Sequence, residues 1–195
     1  MNSAGLLCLQ QRIHDGEETA LAELYKLYYL KLTCFAKSIL RTKELAEEVV
    51  EDVFIKLWCN RPNINVIKNL NVYLYTAVKN TSLNRLSQQA RQLVSAPFDF
   101  LDIELQNELG NPQELMITTE MMKRMHHAIE NLPPRCKMIF RLIREDGLKY
   151  KEVSEILNIS INTIDAQMAI AVKKICTALN IHKPFKQPAS TIQEK

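Results

Sequence analysis

The sequence is poor in the residues that usually build rigid chemical sites. It has 4 glycines, and its 5 cysteines include no Cys-x-x-Cys pair, which argues against a disulfide framework and a zinc site. It also has no run of about 18 uncharged apolar residues and no basic amino terminus followed by an apolar core. We therefore expect no metal, no cofactor, no export signal and no transmembrane helix, and we expect a cytoplasmic protein.

What the sequence does contain is helical periodicity. Of its 195 residues, 47% are hydrophobic, and over long stretches they recur with a period of 3.6 residues, which predicts an all-α fold. The pattern fails from Gln88 to about Leu115, where prolines and acidic residues dominate. We predict a helical domain over residues 1–90, an acidic linker over 91–115, a second helical domain over 116–181 and a tail over 182–195.

The net charge of +3 is unevenly distributed along the chain. Residues 1–87 carry 11 basic and 9 acidic side chains, residues 88–120 carry 1 and 6, and residues 121–195 carry 13 and 7. Two basic segments therefore flank an acidic one. This suits two domains that face nucleic acid and a linker that avoids it, although a solvated acidic loop without function has the same composition.

The stretch from Leu148 to Leu179 predicts a helix-turn-helix. Asn158 tolerates a left-handed backbone in the turn, and Ser160 can cap the second helix. The second helix of such a motif can enter the DNA major groove, but apolar spacing alone is equally compatible with a plain αα-hairpin. The predicted inward positions are Val153, Ile156, Leu157, Ile161, Ile164, Met168, Ala171 and Ile175.

Three further helices are predicted in the amino-terminal domain, over Glu17–Leu40, over Thr42–Cys59, and from a cap at Asn69 to about Ser87. The second has an acidic face, which is either a solvated surface or an interface for a basic partner. The third combines aromatic rings, amides and cations, which suits stacking on unpaired bases, although tyrosines also pack in helical cores. Its polar set is Tyr73, Tyr75, Lys79, Asn80, Asn84 and Arg85. In the second domain, helices are predicted from Thr118 or Thr119 to Leu132 and over Arg135–Glu145.

Taken together, these segments resemble the bacterial extracytoplasmic-function (ECF) sigma factors, the small two-domain specificity subunits of RNA polymerase. The match to the family's region 4 lies in Leu132–Arg135, Ile139-Phe140, Asp146–Val153 and Asn158–Ile164. The match to region 2 lies in Ala46–Val50, Val53-Phe54, Leu57-Trp58, Tyr73–Tyr75 and Asn80. Both regions, at the family's separation, are more specific than a lone helix-turn-helix.

The resemblance implies a role for each part. Core RNA polymerase is expected to bind Glu48, Asp52, Phe54 and Leu57. Melted DNA of the downstream promoter element is expected at the loop from Pro62 to Lys68, which would hold a flipped base, and at the third helix, through Asn63, Asn65, Tyr73, Tyr75, Lys79, Asn80 and Arg85. Duplex DNA of the upstream element is expected at Lys149, Lys151, Asn162, Thr163, Ala166, Gln167, Ile170, Lys173 and Lys174. An anti-sigma factor, which in this family can be membrane-anchored, is also expected, but no catalytic residue and no small-molecule substrate.

Two other classes of function compete with this interpretation. A transcriptional regulator that acts without replacing a sigma factor would share the helix-turn-helix, but it needs a ligand or phosphoacceptor site in its amino-terminal half. No aspartate-rich strand end or glycine-rich loop is found there. A helical hydrolase would need paired carboxylates, a metal or an activated nucleophile, and the sequence has no such constellation.

The side chains of the second helix of the helix-turn-helix predict which bases the upstream element contains. This helix has Asp165 and Gln167 where the family often has basic residues, and it offers no Arg for guanine, whereas Asn and Gln suit the adenine edge. We expect an A·T-rich element under Ala166 and Gln167. Gln167→Ala should relax selectivity at one or two positions, worth about 1 to 3 kcal/mol, whereas Lys173→Ala should weaken all sequences and flatten the salt dependence. Selection of initiating promoters from a randomised element tests this, and a G-rich consensus would contradict it, as would readout of duplex shape alone.

Overall fold

The computed structural model describes residues 3–92 and 119–180. Within these two ranges every regular element is helical, which confirms the all-α prediction. The tail predicted at 182–195 lies outside them, as does the linker except for its first two positions. The α-helices are α1 (Ser3–His14), α2 (Glu18–Leu40), α3 (Lys43–Cys59), α4 (Leu70–Gln92), α5 (Thr119–Glu130), α6 (Pro134–Arg144), α7 (Tyr150–Leu157) and α8 (Ile161–Ala178), and a short 3-10 helix spans Arg61–Val66.

The helix boundaries follow the local signals in the sequence, with three differences. Asn69 caps α4 as predicted, because its side-chain oxygen accepts a hydrogen bond from the amide of Val72 at 3.2 Å. However, α4 continues through Gln92, beyond the expected end at Ser87. The helix α1 and the 3-10 helix were not predicted, since α1 is short and buries few apolar side chains, chiefly Leu9 and Ile13, and so has little periodicity.

The amino-terminal half is built around α2, which packs against α1, α3 and α4. Its 23 residues give it the length to contact all three. Outside the core, Arg12 of α1 forms ion pairs with Glu17 at 2.6 Å and with Glu23 at 3.1 Å, and these pairs fasten α1 to the start of α2. The core of this half includes Leu24, Leu32, Phe35, Val49, Val53, Phe54, Leu57, Leu74 and Val78.

In the carboxy-terminal half, α6 and α7 pack on α8, and α5 covers the later part of α8. Glu130 at the end of α5 forms ion pairs with Lys137 and Arg141 of α6. Lys137 is buried, and its charge is balanced by the Glu130 carboxylate at 3.1 Å, as a buried ammonium group requires.

The two halves are packed together through α4 and α7. A single cluster of buried apolar side chains runs from the amino-terminal helices into the helix-turn-helix, where it includes Val153, Ile156, Ile164 and Met168. The two halves therefore share an interior in this structure, and the linker is not their only connection.

Candidate nucleic-acid interface

The turn of the helix-turn-helix has the geometry that its residues favour. Asn158 ends α7 in a left-handed conformation with φ of 54°, as expected for an amide side chain at this position. The Ser160 hydroxyl accepts a hydrogen bond from the amide of Thr163 at 3.1 Å and so caps α8. At the start of α7, the Glu152 carboxylate accepts from the amide of Lys149 at 2.8 Å. Both helices thus begin at defined residues.

The inward face of α8 agrees with the sequence pattern except at its first residue. Ile164, Met168 and Ala171 are buried, and Ile175 is half-buried. Ile161 was predicted to be buried, but its side chain is 46% exposed. It lies in the first turn of α8, at the edge of the buried face formed by Ile164, Met168 and Ala171.

The opposite face of α8 carries the upstream-element candidates. The candidates on α8 lie along one side of this helix, and Lys149 and Lys151 are exposed at the start of α7. On α8, Asn162, Ala166, Ile170, Lys173 and Lys174 are exposed, and Thr163 and Gln167 are half-buried. Ile170, Lys173 and Lys174 also line an open groove with His127 of α5 and with Asn131, which follows α5, so these three side chains lie at the edge of the surface next to α5.

The acidic face of α3 is accessible, but only part of the predicted polymerase-binding set lies on it. Glu48 is exposed, and Asp52 forms an ion pair with Arg85 of α4 at 3.1 Å. Phe54 and Leu57 were predicted to contact polymerase, but both are buried in the core, where Phe54 packs edge-on against Tyr25 with ring centroids 5.0 Å apart. The helical period places them on the side of α3 that faces α2 and not on the acidic side.

One apolar residue on the accessible side of α3 was missed by the sequence analysis. Ile55 is 61% exposed and lies one to two turns beyond Glu48 and Asp52 on the same side of the helix. An exposed isoleucine beside carboxylates can add apolar contact area to a charged interface. The signal was present in the sequence, since Ile55 breaks the run of polar residues on this face.

The loop from Pro62 to Lys68 extends from the end of α3. Asn63, Asn65 and Val66 are exposed, whereas Ile64 points into the core and is 1% exposed. The loop thus presents amide groups and one apolar side chain on its outer side, and a buried isoleucine anchors its inner side. At its start, the Arg61 guanidinium lies 4.6 Å from the Trp58 ring centroid.

On α4 the downstream-element candidates are divided between surface and interior. Asn80 is exposed, and Tyr73, Lys79 and Arg85 are half-buried. Tyr75 was predicted to offer its ring for stacking on bases, but it is 1% exposed and packs edge-on against Phe35, with centroids 5.3 Å apart. In this structure Tyr75 is a core residue and cannot stack on a base.

Comparison with known proteins accounts for both halves of the chain. Residues 24–92 match the family Sigma-70 region 2, and residues 122–175 match the family Sigma-70, region 4. The ECF RNA polymerase sigma-E factor of Escherichia coli (strain K12) is 25% identical over 166 residues, which cover 82% of this chain and 86% of that protein. The ECF RNA polymerase sigma factor SigW of Bacillus subtilis (strain 168) is 21% identical over 170 residues, which cover 81% and 88%. The chain is an ECF sigma factor.

Solved structures share the fold of this sigma factor. The sigma factor RpoE from Bartonella quintana, crystallised with the anti-sigma factor NepR, matches with a TM-score of 0.56 and 20% identity, over 83% of this chain and 98% of that chain. CnrH, solved with the cytosolic domain of CnrY, matches with a TM-score of 0.53 and 15% identity, over 90% and 97%. Over residues 3–92 and 119–180 of this chain, no helix is both long and apolar enough to cross a bilayer.

The interface between the two halves of the sigma factor involves residues of the candidate DNA-binding surface. The Lys79 ammonium group of α4 donates to the backbone carbonyl of Ile156 in α7 at 2.6 Å. Asn69 donates to the Glu152 carboxylate at 2.8 Å, and Lys31 of α2 donates to the backbone carbonyl of Asp146 at 3.2 Å. In this arrangement α7 covers part of α4, and Lys79 is occupied by a contact within the protein.

The Asp146 side chain is half-buried at this interface, near the Tyr75 hydroxyl. Burial raises the pKa of Asp146 above its ordinary value; Glu145 also raises it, whereas Tyr75, Lys31 and Arg141 oppose the shift. The pKa of the Tyr75 hydroxyl is raised as well, first by burial and then by the neighbouring Asp146. The ionised carboxylate is therefore desolvated where the two halves meet, and this costs free energy at neutral pH.

We predict that Asp146→Asn stabilises the packed arrangement at neutral pH. Because the pKa of Asp146 is raised in the folded protein, the protonated carboxyl favours the folded state. This stabilisation is fully present below the unfolded pKa and is lost as the pH rises through the folded pKa. The amide avoids that loss, so the free energy of unfolding should rise on the order of 1 kcal/mol at pH 7.

Urea unfolding of the wild type and the Asp146→Asn variant at several pH values measures this difference. It should shrink as the pH falls below 4, because the wild-type carboxyl is then protonated in both states. Glu155→Gln, which neutralises an exposed carboxylate of α7 that does not act on the pKa of Asp146, is the matched control. A destabilised Asp146→Asn variant at pH 7 would show that the charge itself supports the interface.

Proposed function

We propose that this sigma factor is a promoter-specificity subunit that binds core RNA polymerase and directs the start of transcription at two promoter elements. The observation that carries the proposal is the presence, in one chain and in order, of both sigma regions. In this proposal the polymerase supplies the chemistry and the sigma factor supplies recognition, so the protein acts where the polymerase is, in the cytoplasm.

The alternative is a regulator that uses the helix-turn-helix without replacing a sigma factor. It accounts for α7 and α8 but leaves the amino-terminal match to region 2 unexplained. Transcription from defined promoters, with purified core polymerase and either no factor or this chain, separates the two. A sigma factor makes initiation depend on the chain, whereas a regulator changes only the output of a polymerase that already carries another sigma factor.

The upstream element is assigned to α8 and the start of α7. Here a helix capped at Ser160 presents small, amide and methyl groups, with lysines at its borders. Such a surface suits contacts to base edges at its centre and to phosphates at its margins. The downstream element is assigned to the loop from Pro62 to Lys68 and to Tyr73, Lys79, Asn80 and Arg85 of α4.

The core-polymerase contact is assigned to the accessible side of α3, formed by Glu48, Glu51, Asp52 and Ile55. An acidic surface with one apolar residue fits a basic partner surface through charge complementarity. Phe54 and Leu57 lie on the buried side of α3 and do not take part in direct contact. Their packing against α2 keeps the carboxylates in a fixed array.

We expect reversal of two exposed carboxylates, in the double variant Glu48→Lys and Glu51→Lys, to weaken binding to core polymerase roughly tenfold, equivalent to about 1.4 kcal/mol. The helical content should be nearly unchanged, because exposed charges contribute little to folding. Asp52 is left intact because its reversal would also break the ion pair with Arg85.

Binding of labelled core polymerase by the wild type and the double variant tests this assignment. Glu155→Lys, which reverses an exposed carboxylate on α7, is the matched control and should bind as the wild type does. Equal affinity of the double variant and the wild type would reject the acidic surface as the contact.

The packed arrangement of the two halves is proposed to mask the downstream-element surface in the free protein. Two proteins of similar fold were solved in complexes, RpoE with the anti-sigma factor NepR and CnrH with the cytosolic domain of CnrY, and we propose an anti-sigma partner for this chain as well. Such a partner would act by favouring an arrangement that keeps α4 covered.

Removal of the covering helix is expected to expose the surface. A fragment of residues 1–92 lacks α7, so Lys79 loses its contact with Ile156 and becomes available for phosphate. It should bind a single-stranded oligonucleotide of the downstream element more tightly than the intact chain does, and Lys79→Ala in the fragment should reverse the gain. Fluorescence anisotropy measures the affinities and circular dichroism confirms folding. Equal affinity of fragment and intact chain would contradict masking.

A further inference from the structure

A buried glutamine of α1 holds the backbone of the loop from Pro62 to Lys68. Gln10 is 4% exposed, although its side chain is polar. Its side-chain amide donates to the backbone carbonyl of Ile64 at 2.5 Å and to that of Ile67 at 2.9 Å. The helix α1 precedes residue 24, where the match to region 2 begins, so this contact comes from a part of the chain that the region 2 match does not include.

The two carbonyls lie on either side of the exposed part of the loop. Between Ile64 and Ile67 the chain presents Asn65 and Val66 outward, and Val66 is 79% exposed. Ile64 anchors the loop in the core, and the amide of Ile67 donates back to the carbonyl of Ile64 at 3.0 Å. Gln10 therefore fixes both ends of the segment that carries the outward side chains.

The neighbouring residue of α1 acts on one of those side chains. The Gln11 side-chain oxygen accepts a hydrogen bond from the Asn65 amide at 3.1 Å. This bond orients the Asn65 amide, whose donor and acceptor groups are the kind that recognise a base edge. The helix α1 is itself held by Leu9 and Ile13, both buried, and by the ion pairs of Arg12.

We propose that α1, through Gln10, positions this loop for an unpaired nucleobase, so that base selectivity in the melted element depends on a helix outside the matched regions. This inference rests on the proposed function of the chain. Gln10 is buried and does not touch DNA, which makes it a positioning residue. Its two hydrogen bonds take the place of water at the carbonyls of Ile64 and Ile67 and so reduce the number of conformations open to the loop. A preformed loop discriminates better between ligands of similar size.

The test uses holoenzyme assembled from core polymerase and the full chain. The templates are premelted promoters in which each position of the downstream element carries each of the four bases in turn. Gln10→Met keeps the length of the side chain and removes the donor. We expect it to lower the preference for the best base about tenfold at one position, within the range of a single good base contact, while affinity for core polymerase and selectivity at the other positions stay unchanged.

Two further variants keep the result interpretable. Ile13→Val loosens α1 without touching the loop carbonyls, so it should lower stability and leave base selectivity as in the wild type. Gln11→Ala alters an exposed side chain and removes the acceptor for Asn65, so it should reduce selectivity at the same position as Gln10→Met. If Gln10→Met fails to fold, Gln11→Ala decides: wild-type selectivity at every position of the downstream element overturns the proposal.

The failures of the two proposals are distinguishable. A wild-type chain that directs no initiation with core polymerase refutes the proposed function. A wild-type chain that initiates normally, together with a folded Gln10→Met variant of unchanged base preference, refutes the positioning role alone. Equal loss of selectivity in Ile13→Val also refutes it, because α1 would then act only through general stability.

Discussion

The packing of α7 on α4 is the contact on which the arrangement of this sigma factor depends. It joins the apolar interiors of both halves into one cluster and thereby opposes the freedom that a linker would otherwise give them. Around the apolar contact, Lys79 and Asn69 make hydrogen bonds to α7, which satisfy polar groups that would lose water on docking. The same contact covers part of the helix assigned to melted DNA, so domain packing and DNA access compete for one surface.

The surface charges are arranged so that different faces suit different partners. The accessible side of α3 is acidic, whereas the end of α8 and the start of α7 carry exposed lysines. Since exposed charges add little to folding stability, they can be placed for binding at small cost to the fold. Only some of the acidic residues are free for a partner, because Asp52 pairs with Arg85 and Glu47 with Lys43.

The loop between α3 and α4 shows how irregular backbone is held in place where function requires it. The 3-10 turn gives the Ile64 carbonyl one donor, the amide of Ile67, and the other buried carbonyls of such a loop also need partners, because an unpaired one is costly. Gln10 meets this need from a helix more than fifty residues away along the chain. The loop can then hold one conformation and still present its outer side chains to solvent. This combination is typical of binding loops on a rigid scaffold.

The sequence by itself determined the helices α2 to α8, the helix-turn-helix and the outward face of α8, because helical periodicity and caps such as Ser160 and Asn69 are local signals. It also carried the order of the two sigma regions. The helical period also places Phe54 and Leu57 on the buried side of α3, whereas the tertiary structure alone decided that Tyr75 is buried and that Gln10 holds the loop. Each of these depends on which helix covers a given flank of another, and that is set by residues distant along the chain, which no local pattern records.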